Sequence, residues 1–258
     1  MAKKKAGSLG GVFVRVVLVV GGLLLLAAAW LFSKMPRPSA PRVEAAVEAV
    51  GINDGVSFAW ILRTAQGAVL VDAGFDAEGK ALREELRREG LKPEDVHAVL
   101  LTHGHPDHWG AAHLFSKARL YAGPGEPAKI HGERPFTSPS ARIMPLLFRE
   151  MPPPPGEISE VQDGQELELD GEKIRVYHLP GHTSGSVAYL WREILFSGDA
   201  LMREGEGVSP SPSFFSEDAA QARTSLEKLR AAPFTQLADG HTGVTADARQ
   251  KLERLLQK

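Results

Sequence analysis

One unbroken apolar run, residues 16–32, stands apart from everything that follows it, where apolar residues come in short blocks closed by glycine or by charged turns. Residues 56–62 and 68–71 are predicted strands joined by a turn at Gln66 and Gly67, apolar enough for a sheet covered on both faces. A charged amphipathic helix is predicted over 77–89, stopped by Gly90 in a left-handed conformation. The strand predicted over 96–101 runs straight into THGHPDH. A second block of strands follows at 166–169, 174–178, 187–190 and 194–197, with Asp170-Gly171 as a hairpin turn, and helices return at 216–230 and 246–257. Between the blocks, 133–156 has no period and carries four consecutive prolines after Met151, so it reads as a long loop or lid. Two blocks of strands, each trailed by helices, predict an α+β chain with two sheets packed face to face and helices outside.

The leading apolar run spans roughly 25 Å as a helix, against about 30 Å for a bilayer core. Lys3, Lys4, Lys5 and Arg15 precede it, and Trp30 sits where an interfacial indole is stable. Ala27, Ala28 and Ala29 also satisfy the rule for a cleavable signal peptide. Apolar residues continue past that point, which favours an uncleaved anchor. The basic residues slightly exceed Lys34, Arg37 and Arg42 on the other side, which sets the N-terminus in the cytoplasm and the remaining domain outside it, periplasmic or extracellular. The expected organisation is a basic flank and membrane anchor over 1–34, a proline-rich linker over 35–44 and a catalytic domain over 45–258.

A net charge of −2, from 30 Lys and Arg against 32 Asp and Glu, offers no field to gather nucleic acid. With no cysteine, disulfides, catalytic thiols and thiolate metal ligands are all excluded, so a metal site must be built from imidazole and carboxylate. The chain supplies these densely. His103, His105, Asp107 and His108 fall within six residues, and His182, Asp199 and His241 follow downstream, each directly after a glycine. Period-two spacing points His103 and His105 to one side of an extended segment, and Asp107 and His108 add donors at a second position. Any one histidine of the nine is more often a surface or core residue than a ligand; the spacing together reverses that reading.

THGHPDH, GHTSGS, FSGDA and DGH, in this order, resemble the metallo-β-lactamase superfamily from Ala45 onward. The resemblance implies an αββα four-layer sandwich holding two divalent cations, most often zinc, with iron or manganese as alternatives. It implies that His103, His105 and His182 hold the first ion, that Asp107, His108 and His241 hold the second, and that Asp199 bridges both. His97, His113, His131 and His178 match nothing in the pattern. Asp72, in VDAG, is expected to orient ligand loops by hydrogen bonds or to form a plain turn.

The resemblance implies that two cations held there would lower the pKa of a shared water to supply a nucleophile near neutral pH, and that Asp107 would orient that water and carry a proton onward. The expected substrate is a small molecule with an ester, thioester, lactone or amide carbonyl. In outline the chain is similar to glyoxalase II, but GEGVSPSPSFF lacks the arginine-containing stretch of those enzymes, and Met202 stands where acyl-homoserine lactonases have a tyrosine. A β-lactamase-like or phosphodiesterase activity, an iron-containing oxidoreductase and a non-catalytic metal-binding module are the alternatives on the same scaffold. Trp109 is expected either to line the substrate mouth or to pack on the sheet. Phe136, Met144, Leu146, Leu147 and Phe148 are expected to form an apolar lid or a satellite cluster.

Overall fold

The computed structural model describes residues 38–142 and 151–257. The predicted membrane helix, and Met144, Leu146, Leu147 and Phe148 of the predicted lid, lie outside the described residues. Among the described residues, no helix is long and apolar enough to cross a membrane.

Seven strands form the first sheet in sequence order: β1 (Arg42–Ala46), β2 (Ala49–Asn53), β3 (Phe58–Arg63), β4 (Ala68–Val71), β5 (Val96–Leu100), β6 (Arg119–Ala122) and β7 (Ile158–Glu160). The first four pair antiparallel, and β4 to β7 are parallel. The second sheet is built from β8 (Glu166–Leu169), β9 (Glu172–His178), β10 (Val187–Trp191), β11 (Ile194–Gly198), β14 (Gln236–Asp239) and β15 (Val244–Thr245), in the order β15-β14-β11-β10-β9-β8. Its one parallel pair is β11 with β14. A separate hairpin joins β12 (Met202–Glu204) to β13 (Gly207–Ser209).

Strand alternation distributes side chains between layers. On β3, Phe58, Trp60 and Leu62 enter the core between the sheets, where they meet Val187, Tyr189, Trp191 and Phe196 of the second sheet. Trp60 stacks on Phe58 at 5.3 Å and meets the edge of Phe196 at 5.6 Å, contacts worth about 0.5–1.5 kcal/mol each beyond the area they bury. Ala59 and Ile61 face the opposite way, into an outer core shared with Leu82 and Leu86 of helix α1 (Lys80–Arg88). On the far side, Ala188, Leu190 and Leu195 pack against Leu226 and Leu229 of a 3₁₀ helix (Leu226–Ala231) and Leu252 of helix α5 (Ala248–Leu256). The result is the four-layer αββα sandwich expected from the sequence.

The 35–44 linker is shorter than expected, because Arg42–Ala46 already belongs to β1 and Ser39 donates its amide to Thr242 O. Helix α1 begins three residues later than expected, since the Asp76 carboxylate takes the amides of Glu78 and Lys80 into a turn. The helix predicted over 216–230 divides into α4 (Ala219–Ser225), whose N-terminus is capped by Asp218, and the 3₁₀ turn that follows it. Asp170 (φ 53°) and Gly171 (φ 83°) make the expected hairpin turn.

Candidate metal centre

Strands β4, β5, β9, β11 and β14 deliver their carboxyl ends to one edge of the sandwich. Loops there carry chemistry on a rigid frame. His103 and His105 follow β5, and Pro106 starts the short helix α2 (Pro106–Trp109), which bears Asp107 and His108. His182 follows β9, Asp199 follows β11 and His241 follows β14. All seven residues singled out from the sequence come together there. Three overlapping groups of potential ligand atoms result: His103, His105 and His182; His103, His108 and Asp199; and Asp107, His108 and His241.

The first group is the tightest. His103 Nε2 lies 3.0 Å from His105 Nδ1, and His182 Nε2 lies 3.1 Å from the first and 3.0 Å from the second. Each of these nitrogens carries either a proton or a lone pair, so among three mutual contacts at least one must set like against like. A cation held by these three rings would remove that conflict by accepting their lone pairs. In the third group Asp107 Oδ2 stands 3.7 Å from His108 Nε2 and 3.6 Å from His241 Nε2. Asp199 lies between the groups: Oδ2 is 3.5 Å from His182 Nε2 and 3.2 Å from His241 Nε2, and Oδ1 is 3.4 Å from His108 Nε2. His108 Nε2 and Asp199 Oδ1 are buried and have no hydrogen-bond partner among the described residues. Buried orphans of this kind are rare, and here both face the same centre.

The tautomers of three histidines follow from their other partners. Thr102 Oγ1 donates to Asp72 Oδ2 at 2.8 Å, so it accepts from His103 Nδ1 at 3.1 Å and leaves Nε2 bare. His108 Nδ1 donates to Asp72 Oδ2 at 2.7 Å, and His241 Nδ1 donates to Val56 O at 2.8 Å. Asp72 also accepts the Thr102 amide at 2.8 Å and sits at φ 58°, so it both forms the turn and orients the loop. Close approach of the loops requires Gly240, where a Cβ would stand 2.6 Å from Asp199 Oδ1 and from His108 Cε1.

Charge divides the centre. Burial, reinforced by neighbouring imidazoles, pushes His103 and His182 well below the usual imidazole value, and burial takes His105 down to about 4. Burial also opposes a charge on His108 and His241, yet Asp72, Asp107 and Asp199 raise the first to about 9, and Asp199 and Asp107 raise the second to about 10. Against its own burial, Asp199 is held well below the carboxylate range by His241 and His108.

The other histidines have separate places: His97 Nδ1 meets Asp170 at 2.8 Å, His113 Nδ1 meets Gly110 O, His178 Nε2 meets Ser184 O, and His131 is exposed. Trp109 packs beneath the motif, donating from Nε1 to Gly104 O at 2.8 Å, and does not line the mouth. Phe136 does lie over the centre, 4.6 Å from the His105 ring. Sequence reasoning missed Asp239, which takes the amides of His241 and Thr242, although its place in DGH marked it. It also missed Glu126 and Lys129, whose segment carries no motif.

The family model of the metallo-beta-lactamase superfamily matches residues 52–256. The hydroxyacylglutathione hydrolase of Halorhodospira halophila is 32% identical over 190 residues, covering 72% of this chain and 61% of that protein. That of Aeromonas hydrophila is 30% identical over 181 residues, covering 69% and 57%. The chain thus spans about three fifths of the length of these relatives. Among solved structures, a metallo-beta-lactamase family protein from Thermus thermophilus superposes with a TM-score of 0.60 at 26% identity, covering 86% of this chain and 77% of that one.

Proposed function

The chain belongs to the metallo-beta-lactamase superfamily, and we propose that it is a hydrolase in which His103, His105 and His182 hold one divalent cation, Asp107, His108 and His241 hold a second, and Asp199 touches both. The observation that carries this reading is the closed triangle of imidazole nitrogens at 3.0–3.1 Å, which neutral or protonated rings alone cannot satisfy. Imidazole and carboxylate donors without thiolate suit zinc, and suit iron or manganese as well. When bound, such a pair of cations supplies Lewis acidity toward a carbonyl oxygen and a nucleophile at neutral pH.

The protein's own groups set the geometry around that chemistry. Asp72 and the Val56 carbonyl hold Nδ1 of His108 and His241 and so turn both Nε2 atoms inward, where a bound cation would displace their protons. Asp107 is the most open of the carboxylates, its side chain 26% exposed, and so is placed to take a proton from attacking water and pass it to solvent. Phe136 offers an apolar face beside His105 for the acyl part of a substrate.

The substrate class is an ester, thioester, lactone or amide, and the hydroxyacylglutathione hydrolases among the relatives support the thioester member of that set. The test is a panel of acyl thioesters, lactones, phosphodiesters and β-lactams offered to the full-length protein at defined zinc content. Turnover of a thioester or lactone that vanishes with a chelator and returns with zinc is expected. Hydrolysis confined to phosphodiesters would overturn the carbonyl assignment.

Residues 1–34 are proposed to tether this domain to a membrane, with the site on the non-cytoplasmic side, on the strength of the apolar run and its basic flank. The protein should stay with membranes through an alkaline carbonate wash; recovery in the soluble fraction refutes the tether.

A further inference from the structure

Glu126 is fully buried at the start of helix α3 (Glu126–Ile130), and its carboxylate reaches both loops of the first candidate ligand group. Oε2 accepts the amide of Gly104, between His103 and His105, at 2.6 Å; Oε1 accepts the amide of Gly185, three residues after His182, at 3.1 Å. Both glycines make room for it. A Cβ on Gly104 would stand 2.8 Å from Glu126 Oε2, and one on Gly185 would stand 2.6 Å from Glu126 Cγ and Oε1. Lys129 lies one turn on, with Nζ 3.1 Å from Glu126 Oε1 and 2.8 Å from Glu217 Oε2. Glu217 in turn accepts the Ser184 amide at 2.6 Å and the Thr137 amide at 3.2 Å, and its own amide donates to His182 O. Lys129 Nζ also stands 5.2 Å from the ring of Phe136.

We infer that the Glu126–Lys129–Glu217 chain is a positioning device that sets the spacing of His105 and His182, and through Thr137 ties Phe136 to that spacing. Buried ionic groups are expensive to keep unless they are fully paired, and a well-packed apolar substitute is often as stable. Here every partner of the two carboxylates other than Lys129 belongs to a ligand loop or to the segment covering His105. A backbone brace on two loops at once controls how closely their imidazoles approach, as partners behind metal ligands commonly do.

The inference rests on the metal-binding reading of the site, and its test separates the two. Glu126→Gln keeps the shape but leaves one acceptor oxygen where two amides need acceptors. In full-length protein, chelator competition with zinc should show the ion at the His103, His105 and His182 group bound about 10–100-fold more weakly, with the other ion little changed. The visible spectrum of one cobalt(II) equivalent should change in the same variant. Glu217→Gln should give a smaller effect in the same direction, and it serves as the readout if Glu126→Gln does not fold. Wild-type zinc and cobalt behaviour in a folded variant overturns the brace and leaves the metal reading intact. Failure of the wild-type protein to bind zinc removes the metal reading, and the brace with it.

Discussion

Asp72 Oδ2 lies 2.7 Å from Nδ1 of His108, with both side chains shut off from solvent, and the same carboxylate grips the backbone and hydroxyl of Thr102. One turn residue thereby fixes a ring on the second candidate ion and the peptide that leads into His103. Asp72→Asn preserves the left-handed turn, which asparagine tolerates, but removes the charge and one acceptor. The expected result is roughly 10–100-fold weaker binding of the ion at His108, with secondary structure unchanged. Zinc competition and circular dichroism check it, and unaltered affinity contradicts the role.

Substitution of Asp107 distinguishes metal binding from the proposed proton transfer. Asp107→Asn retains an oxygen toward His108 and His241 but cannot take up a proton. Turnover of an acyl thioester should fall by about 10²–10⁴-fold while most bound metal is retained. Rate and metal content measured on the same sample decide the matter, and full activity refutes the assignment.

Removal of metal should loosen the whole edge of the sandwich, because the candidate ligands join both sheets. At free zinc a thousand times the dissociation constant, the gain is about 4 kcal/mol. For a domain of this size that corresponds to a rise of roughly 10 °C in the melting midpoint. Calorimetry of chelator-treated and zinc-loaded protein tests it; coincident midpoints oppose a cation at this site.

Glu217 supplies a pH signature. Burial works to raise its carboxyl, but the hydrogen bond and charge of Lys129, with the amides of Ser184 and Thr137, hold it below its ordinary value of 4.5. The unfolded chain therefore binds this proton more readily than the folded one. The stability it contributes is present above about pH 4.5 and is lost as pH falls through the folded value. Glu217→Gln should accordingly be less stable than wild type at pH 7, with the gap closing in acid. Urea midpoints across that range measure it, and a gap independent of pH would count against the ion pair.

The parts of this architecture visible in the sequence are those with strong local signals. A solid apolar run placed β4 and a clean alternation placed β8 at their true bounds, because burial on both faces or on one face leaves little freedom. The histidine motif and the glycine-flanked candidate ligands were visible because a metal site demands particular residue types at particular spacings. Strands β6, β7, β14 and β15 have two to four residues each, and their assignment comes from neighbours already in the sheet. In Arg42–Ala46 an edge strand looks like linker, since one side faces solvent and polar residues alternate in. Glu126 and Lys129 stayed hidden for a related reason: their partners at Gly104, Ser184, Gly185 and Glu217 are distant in sequence, and nothing in the local pattern marks a buried ion pair.

His241 is the last of the seven to leave the ribosome, roughly 7–28 seconds after His103 at typical elongation rates of ~5–20 residues per second. Until β14 inserts beside β11, the nascent chain can bring together His103, His105 and His182 but cannot complete the group that includes His241. Discrimination between metals then becomes a property of the finished fold, exercised in whichever compartment that strand finally docks.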